Sequence, residues 1–217
     1  MSTLIARSAS MLLLLLAGVC SAATDLDSEL SAIQQAWAKA NYETPEGDVR
    51  EQAFEQLNTR TAAFVEKYPQ RAEPLIWQGI VLSTYAGVKG GFGALSLAKK
   101  SRAALEAAIK IDPQALAGSA YTSLGALYYK VPGFPIGFGN HDKAQEYFRK
   151  ALTLNPDGID PNYFYGEFLF EQKQYAEAQQ HLQTALRAPA RPGRELADRG
   201  RRQEIQALLA KVNAKLG

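Results

Sequence analysis

The stretch that decides the fold runs from Tyr121 to Pro156. It reads Tyr121-x-x-Leu124-Gly125-x-x-Tyr128, then Ala144-x-x-x-Phe148-x-x-Ala151, and closes on Pro156. Apolar and small residues recur three and four apart, which is the period of one helix face, so the spacing predicts two amphipathic helices. Gly125 on the first helix and Ala144 and Ala151 on the second keep side chains small where the helices cross, which lets their axes approach to ~8–10 Å. Tyr121, Leu124, Tyr128, Phe148 and Leu152 then fill the space between them. Pro156 ends the second helix because it lacks a backbone donor. Between the two helices lies the apolar turn Val131-Pro132-Gly133-Phe134-Pro135-Ile136-Gly137-Phe138-Gly139-Asn140.

The pattern recurs on both sides. Downstream, Ile159 to Pro192 carries Gly166, Leu169, Tyr175, Ala178, Leu182 and Ala185 in the same order. Upstream, Arg71 to Pro113 carries Gly79, Leu82, Leu105, Ala108 and Pro113. This succession of aromatic, Leu-Gly, Tyr, Ala, Phe, Ala and Pro positions resembles the tetratricopeptide repeat (TPR) family over roughly Arg71 to Pro192. The resemblance implies an all-α, TPR-like solenoid of about three helical hairpins, at residues 71–113, 118–156 and 159–192. A lone hairpin cannot bury its apolar face, so such repeats stack.

Two departures from the family pattern are visible. Gly79 to Ala108 spans 29 positions where the pattern has 19, and Gly125 to Ala144 spans 19 where it has 12. Both read as enlarged turns between the helices of a hairpin. They share a word, Gly91-Phe92-Gly93 in one and Gly137-Phe138-Gly139 in the other, and equivalent turns of stacked repeats are expected to be neighbours.

Outside the repeats, residues 24–70 read as two further helices, Asp25 to Tyr42 and Gly47 to Tyr68, and residues 193–217 as one C-terminal capping helix. Charge is segregated between these ends. Thr24 to Arg60 holds eight acids against three bases, and Leu186 to Gly217 eight bases against three acids. A solvated face of the capping helix is the expectation for the basic end, open to pairing with the acidic start in one molecule or between two.

Residues 1–23 have the order of a secretory signal peptide: Arg7, an apolar run from Met11 to Val19, then the small residues Ser21, Ala22 and Ala23. The apolar run is about half the ~20 residues of a membrane-spanning helix. Export, most simply to a bacterial periplasm, is therefore the expectation. A lipoprotein anchored at Cys20 is the alternative, although Val19 stands where that pattern wants a small residue. No later segment is apolar and long enough to give the mature chain a stable membrane span.

The 217 residues are 47% hydrophobic and 21% charged with a formal net charge of +2, a balance that speaks for a folded globular chain rather than a disordered one. Cys20 is the only cysteine and lies in the leader, so the rest of the chain has no disulfide, no thiol nucleophile and no Cys-bound metal. The two histidines, His141 and His181, have no metal-ligand spacing. The glycine loops lack the Lys-Ser/Thr ending and the preceding strand of a nucleotide fingerprint. No Gly-x-Ser-x-Gly elbow occurs, and no triad spacing is recognisable. We expect no catalytic residue, no cofactor and no metal. The basic tail is interrupted by Glu195, Asp198 and Glu204 and lacks stacking aromatics, so nucleic acid is not an expected partner.

Two regions remain as candidate sites. In the repeat register, first-helix residues not used in packing face a concave groove. These are Thr122, Ala126, Tyr129 and Lys130 in one repeat and Tyr163, Glu167 and Phe170 in the next. Aromatic anchors there suit a protein or peptide partner, unless the terminal helices fill the groove and make them core. The second region is the pair of glycine loops, with Phe92, Phe134, Phe138 and His141. It reads either as a ligand-approach loop or as a hydrophobic plug in which Phe134, Ile136 and Phe138 cover the end of the core. The TPR resemblance implies a non-enzymatic interaction module or scaffold. A looser similarity in layout, around Pro132-Gly133, is to the T-component of TRAP solute transporters. It implies an oligomeric accessory protein that handles a small ligand.

Overall fold

The computed structural model describes residues 25–217. The expected leader and Cys20 lie outside the described residues. A helix through residues 25–42 (α1) is followed by α2 (Asp48–Lys67), α3 (Ala72–Lys89), α4 (Gly91–Ile111), α5 (Ala115–Lys130), α6 (His141–Leu154), α7 (Ile159–Glu171), α8 (Tyr175–Arg187) and α9 (Glu195–Leu216). No strand occurs among the described residues, and the fold is an all-α solenoid. No described helix is long and apolar enough to cross a membrane.

Three hairpins form its body: α3 with α4, α5 with α6, and α7 with α8. Helix α3 also packs on α5, and α5 on α7, so first helices stack on first helices as in a repeat array. The small residues act where the spacing places them. A Cβ on Gly79 would lie 2.5 Å from Leu105, one on Gly125 2.7 Å from the Phe148 ring, and one on Gly166 2.9 Å from Leu182. Those three partners, with Leu124 and Leu169, are fully buried and form the centre of the core. A second apolar cluster joins the ends of the chain: Ile33 and Trp37 of α1, Phe54 and Phe64 of α2, and Trp77, Val81 and Tyr85 of α3.

One expectation about the turns is corrected. The extra residues of the first hairpin do not build an enlarged loop. They lengthen both helices, so that α3 runs to Lys89 and α4 starts at Gly91, with Gly90 alone between them at φ 61°. Gly87 and the Gly91-Phe92-Gly93 word are helical, because a positive φ at Gly90 and Gly91 suffices to reverse the chain. The second hairpin does carry a true loop, residues 131–140. Gly139 N–H donates to Pro132 O at 2.9 Å and Asn140 N–H to Tyr128 O at 2.8 Å. Gly139 must be glycine, since a Cβ would sit 1.9 Å from Val131 O. Asn140 then caps α6, its Oδ1 accepting from Lys143 N–H at 2.9 Å. The loop lies beside α4, with the Arg102 guanidinium 4.3 Å from the centre of the Phe138 ring.

Candidate functional site

The superhelix bends until its ends meet. Tyr42, at the end of α1, lies against Gly200 of α9, and its hydroxyl donates to Glu204 at 3.4 Å. The ring so formed encloses a concave cavity of about 1250 Å³. The first helices of the three hairpins wall it. α3 contributes Trp77, Ile80 and Thr84, α5 contributes Thr122, Ala126 and Lys130, and α7 contributes Asp160, Tyr163 and Phe164. On α3 and α5 these positions lie three or four apart, and on α7 Asp160 lies three and four before Tyr163 and Phe164, so each set shares one helix face. α1 adds Trp37 and Tyr42, and α9 adds Arg201 and Glu204. Leu116 and Ala117, in a left-handed turn at φ 49° and 51° that opens α5, complete part of the wall.

The aromatic side of the cavity is built on a tryptophan pair. Trp37 and Trp77 meet edge to face at 6.1 Å, and Trp37 Nε1–H donates to Thr84 Oγ1 at 3.1 Å. They are the only tryptophans in the sequence.

The opposite side is ionic. Arg201, only 7% exposed, donates from Nε to Asp160 Oδ1 at 2.9 Å and from Nη1 to Glu204 Oε2 at 2.6 Å. Its guanidinium also lies 4.4 Å from the Tyr163 ring centre and 4.6 Å from that of Phe164. Arg191 donates to the other Asp160 oxygen at 2.7 Å and, through Nε and Nη2, to Asp198 Oδ1 at 2.8 and 2.6 Å. Burial alone would raise the Asp160 pKa, but Arg201 and Arg191 outweigh it and hold the carboxyl well below the usual carboxylate range. For Glu204 burial wins and its pKa is raised, Arg201 offsetting only part. The Tyr42 hydroxyl is pushed up to about 12, chiefly by burial, with Glu204 and Asp160 adding to it.

Of the residues singled out in the sequence, Thr122, Ala126, Lys130 and Tyr163 line the cavity. Tyr129, Glu167 and Phe170 do not. Tyr129 packs against Phe148 and Phe168 and donates its hydroxyl to Glu167, and Lys130 pairs with Glu167 at 2.8 Å. Phe170 packs at a tilt against Tyr175 within its own hairpin. The terminal helices do not fill the groove; they close it as walls. Nor does the basic end pair with the acidic start within one molecule. Among the described residues no ion pair joins α1 or α2 to α9, whose Arg201 and Arg202 engage Asp160, Glu204 and Asp198 instead.

The loop is divided. Phe138 packs edge-on against Tyr128 at 5.4 Å, which suits the plug reading, whereas Phe134 is 94% exposed and Ile136 71% exposed. Those two cover nothing, and Pro132 and Ile136 stand at the cavity's rim. Phe92 falls in the first turn of α4. His141, at the start of α6, meets Phe168 edge-on at 5.9 Å and Gln172 at 3.1 Å.

The sequence reading missed Trp37, Trp77 and the arginines of 191–201. The only signal for them was segregated charge, because the helices that bring them together lie at opposite ends of the chain.

Among the described residues no group of acidic, His or Cys side chains could hold a metal ion.

Residues 136–212 match the family model described as tetratricopeptide repeat. A solved structure of a thermophilic TPR protein from Thermus thermophilus is similar in fold. The TM-score is 0.57 at 13% identity, over 87% of this chain and 99% of that one. No curated protein matches the sequence. The chain thus carries a tetratricopeptide-repeat match over residues 136–212 and has the fold of a TPR protein, and the similarity to the TRAP T-component finds no support in these matches.

Proposed function

We propose that the protein is an exported, non-enzymatic interaction protein of the cell envelope, and that its ring-shaped solenoid takes a short apolar segment of a partner protein into the central cavity. One observation carries this reading. The helix faces that the repeats leave free of packing converge on one cavity of about 1250 Å³ that holds both tryptophans. That volume exceeds the ~300–1,000 Å³ of ordinary small-molecule pockets, and aromatic anchors dominate protein interfaces. Phe134 and Ile136, exposed beside the mouth, add apolar surface for the same partner. Export rests on the leader in the sequence.

The test is in-cell crosslinking of the tagged full-length chain, followed by mass spectrometry of what co-purifies. Ala126 lines the cavity and is only half-buried, so Ala126→Trp occupies the space without entering the core. The expected result is a reproducible protein partner lost in Ala126→Trp while thermal stability is kept. A partner retained in that variant overturns the cavity as its seat. No protein at all, or copies of the chain alone, favours the small-ligand accessory role that the T-component resemblance implies. Fractionation and mass analysis of the mature N-terminus test export, expected to show cleavage near Ala23 in a soluble periplasmic form. A lipid-modified Cys20 would replace that by membrane anchoring.

A further inference from the structure

Of the five arginines between residues 191 and 202, the four that are not exposed, Arg191, Arg194, Arg201 and Arg202, are not equivalent. Arg191 and Arg201 each contact two carboxylates among Asp160, Asp198 and Glu204, and Arg202 reaches Asp198 at 4.0 Å. Arg194 makes no ion pair among the described residues. Its guanidinium lies 5.1 Å from the centre of the Trp77 ring, on the cavity wall. Its Nε is buried without an acceptor, and so is Trp77 Nε1, on a side chain only 3% exposed. Two buried donors lacking acceptors thus belong to one Arg–Trp pair on the cavity wall, and a buried donor without an acceptor is costly. Burial and the neighbouring Arg191 push the Arg194 pKa down, but guanidinium remains charged.

We propose that Arg194, held against Trp77, is an anion-recognition point of the cavity, and that it selects a carboxylate side chain flanked by apolar residues in the bound segment. The inference rests on the reading that the cavity takes a partner segment. The ligand chemistry follows from the surroundings. A guanidinium presents a planar fork that matches a carboxylate with two parallel hydrogen bonds. The wall around it, with Trp37, Trp77 and Ile80, accepts apolar bodies on either side of that charge. The nearby acids do not compete, since Asp160, Asp198 and Glu204 are held by Arg191, Arg201 and Arg202.

The experiment uses two blocked peptides, acetyl-Leu-Glu-Phe-Leu-amide and its Gln counterpart, each titrated into the full-length protein. Tryptophan emission is followed, because both tryptophans of the chain line the cavity. Calorimetry gives the affinities. The expected result is at least tenfold tighter binding of the Glu peptide. That preference falls below twofold in Arg194→Gln and is only partly kept in Arg194→Lys, which retains the charge but not the fork. Equal affinity of the two peptides for the wild type overturns the anion point and leaves the cavity reading standing. Binding of neither peptide overturns both. A preference that survives in Arg194→Gln assigns the charge recognition elsewhere and overturns the proposal. The comparison of the two peptides on the wild type decides the matter even where a variant folds poorly.

Discussion

The ring of Tyr42 occupies the space that a side chain at residue 200 would need. A Cβ on Gly200 would stand 2.4 Å from its Cδ1 and Cε1 atoms. This contact closes the solenoid, since Tyr42 ends α1 and Gly200 lies in the second turn of α9. A glycine-to-alanine change within a helix ordinarily gains ~1 kcal/mol of helix propensity. Here overpacking of ~1–3 kcal/mol opposes that gain. Gly200→Ala is therefore expected to lower the urea midpoint, and a raised midpoint would show that α1 and α9 are not closely packed in solution.

The same sign argument applies inside the repeats. A Cβ on Gly125 would lie 2.7 Å from two atoms of the Phe148 ring, and that ring is fully buried among Tyr129, Tyr165 and Phe168. It has nowhere to move. Gly125→Ala is expected to destabilise by ~1–3 kcal/mol, read as a fall in Tm. Gly125→Trp and Ala151→Trp are expected to cost more.

These glycines show what the sequence made legible. Gly125, Ala144, Phe148 and Ala151 sit at fixed spacings, and the spacing alone places them at a helix crossing, so the three hairpins could be read in advance. The groove was harder. The register puts Thr122, Ala126, Lys130 and Tyr163 on the free face, and all four line the cavity. It puts Tyr129 and Phe170 there as well, but Tyr129 packs against Phe148 and Phe168, and Phe170 against Tyr175. The ring closure and the arginine cluster had no periodic signal. They depend on α9 reaching back to α1 and α3, a long-range packing that local pattern does not encode.

His181 gives the chain a pH dependence. Asn162 Nδ2–H donates to Pro156 O and Gly158 O, so its Oδ1 is the acceptor left for His181 Nδ1–H at 2.9 Å. The ring also meets Tyr165 edge-on at 4.8 Å. Burial lowers the His181 pKa. A lowered folded value means that the neutral ring contributes stability above the unfolded value of ~6.5, and that this is lost as pH falls below it. Urea midpoints measured from pH 7.5 to 5 are expected to fall, and to fall less steeply in His181→Gln.

Asp160 acts in a lower window. Its depressed pKa makes its contribution full above the unfolded carboxylate value of ~3.9 and lost as pH drops further. Asp160→Asn leaves Arg201 and Arg191 facing each other without their shared counter-ion. Breaking a buried pair costs ~3–5 kcal/mol, and the cost here is expected to be smaller because 28% of the Asp160 side chain remains exposed. The variant should therefore be less stable at pH 7 and should lose less than the wild type between pH 4 and 2. Equal losses in both would remove Asp160 from the acid transition.

Phe134 and Ile136 separate stability from binding. At 94% and 71% exposed they contribute almost nothing to the core. The loop that presents them is held from within, Ile136 N–H and Gly137 N–H both donating to Gly133 O at 3.1 and 3.0 Å. Replacing the pair with serine removes apolar surface from water without opening a cavity, and surface changes of this kind stay within ~0.5 kcal/mol. The double variant Phe134→Ser, Ile136→Ser is thus expected to melt like the wild type. Exposed apolar side chains beside a binding mouth gain their worth only when a partner covers them, at ~25 cal/mol for each Å² removed from water. The partner recovered by crosslinking is accordingly expected to be retained at least tenfold more weakly by the double variant. If the serines lower Tm and leave the partner bound, the loop is a structural cover after all, and the mouth of the cavity is formed without it.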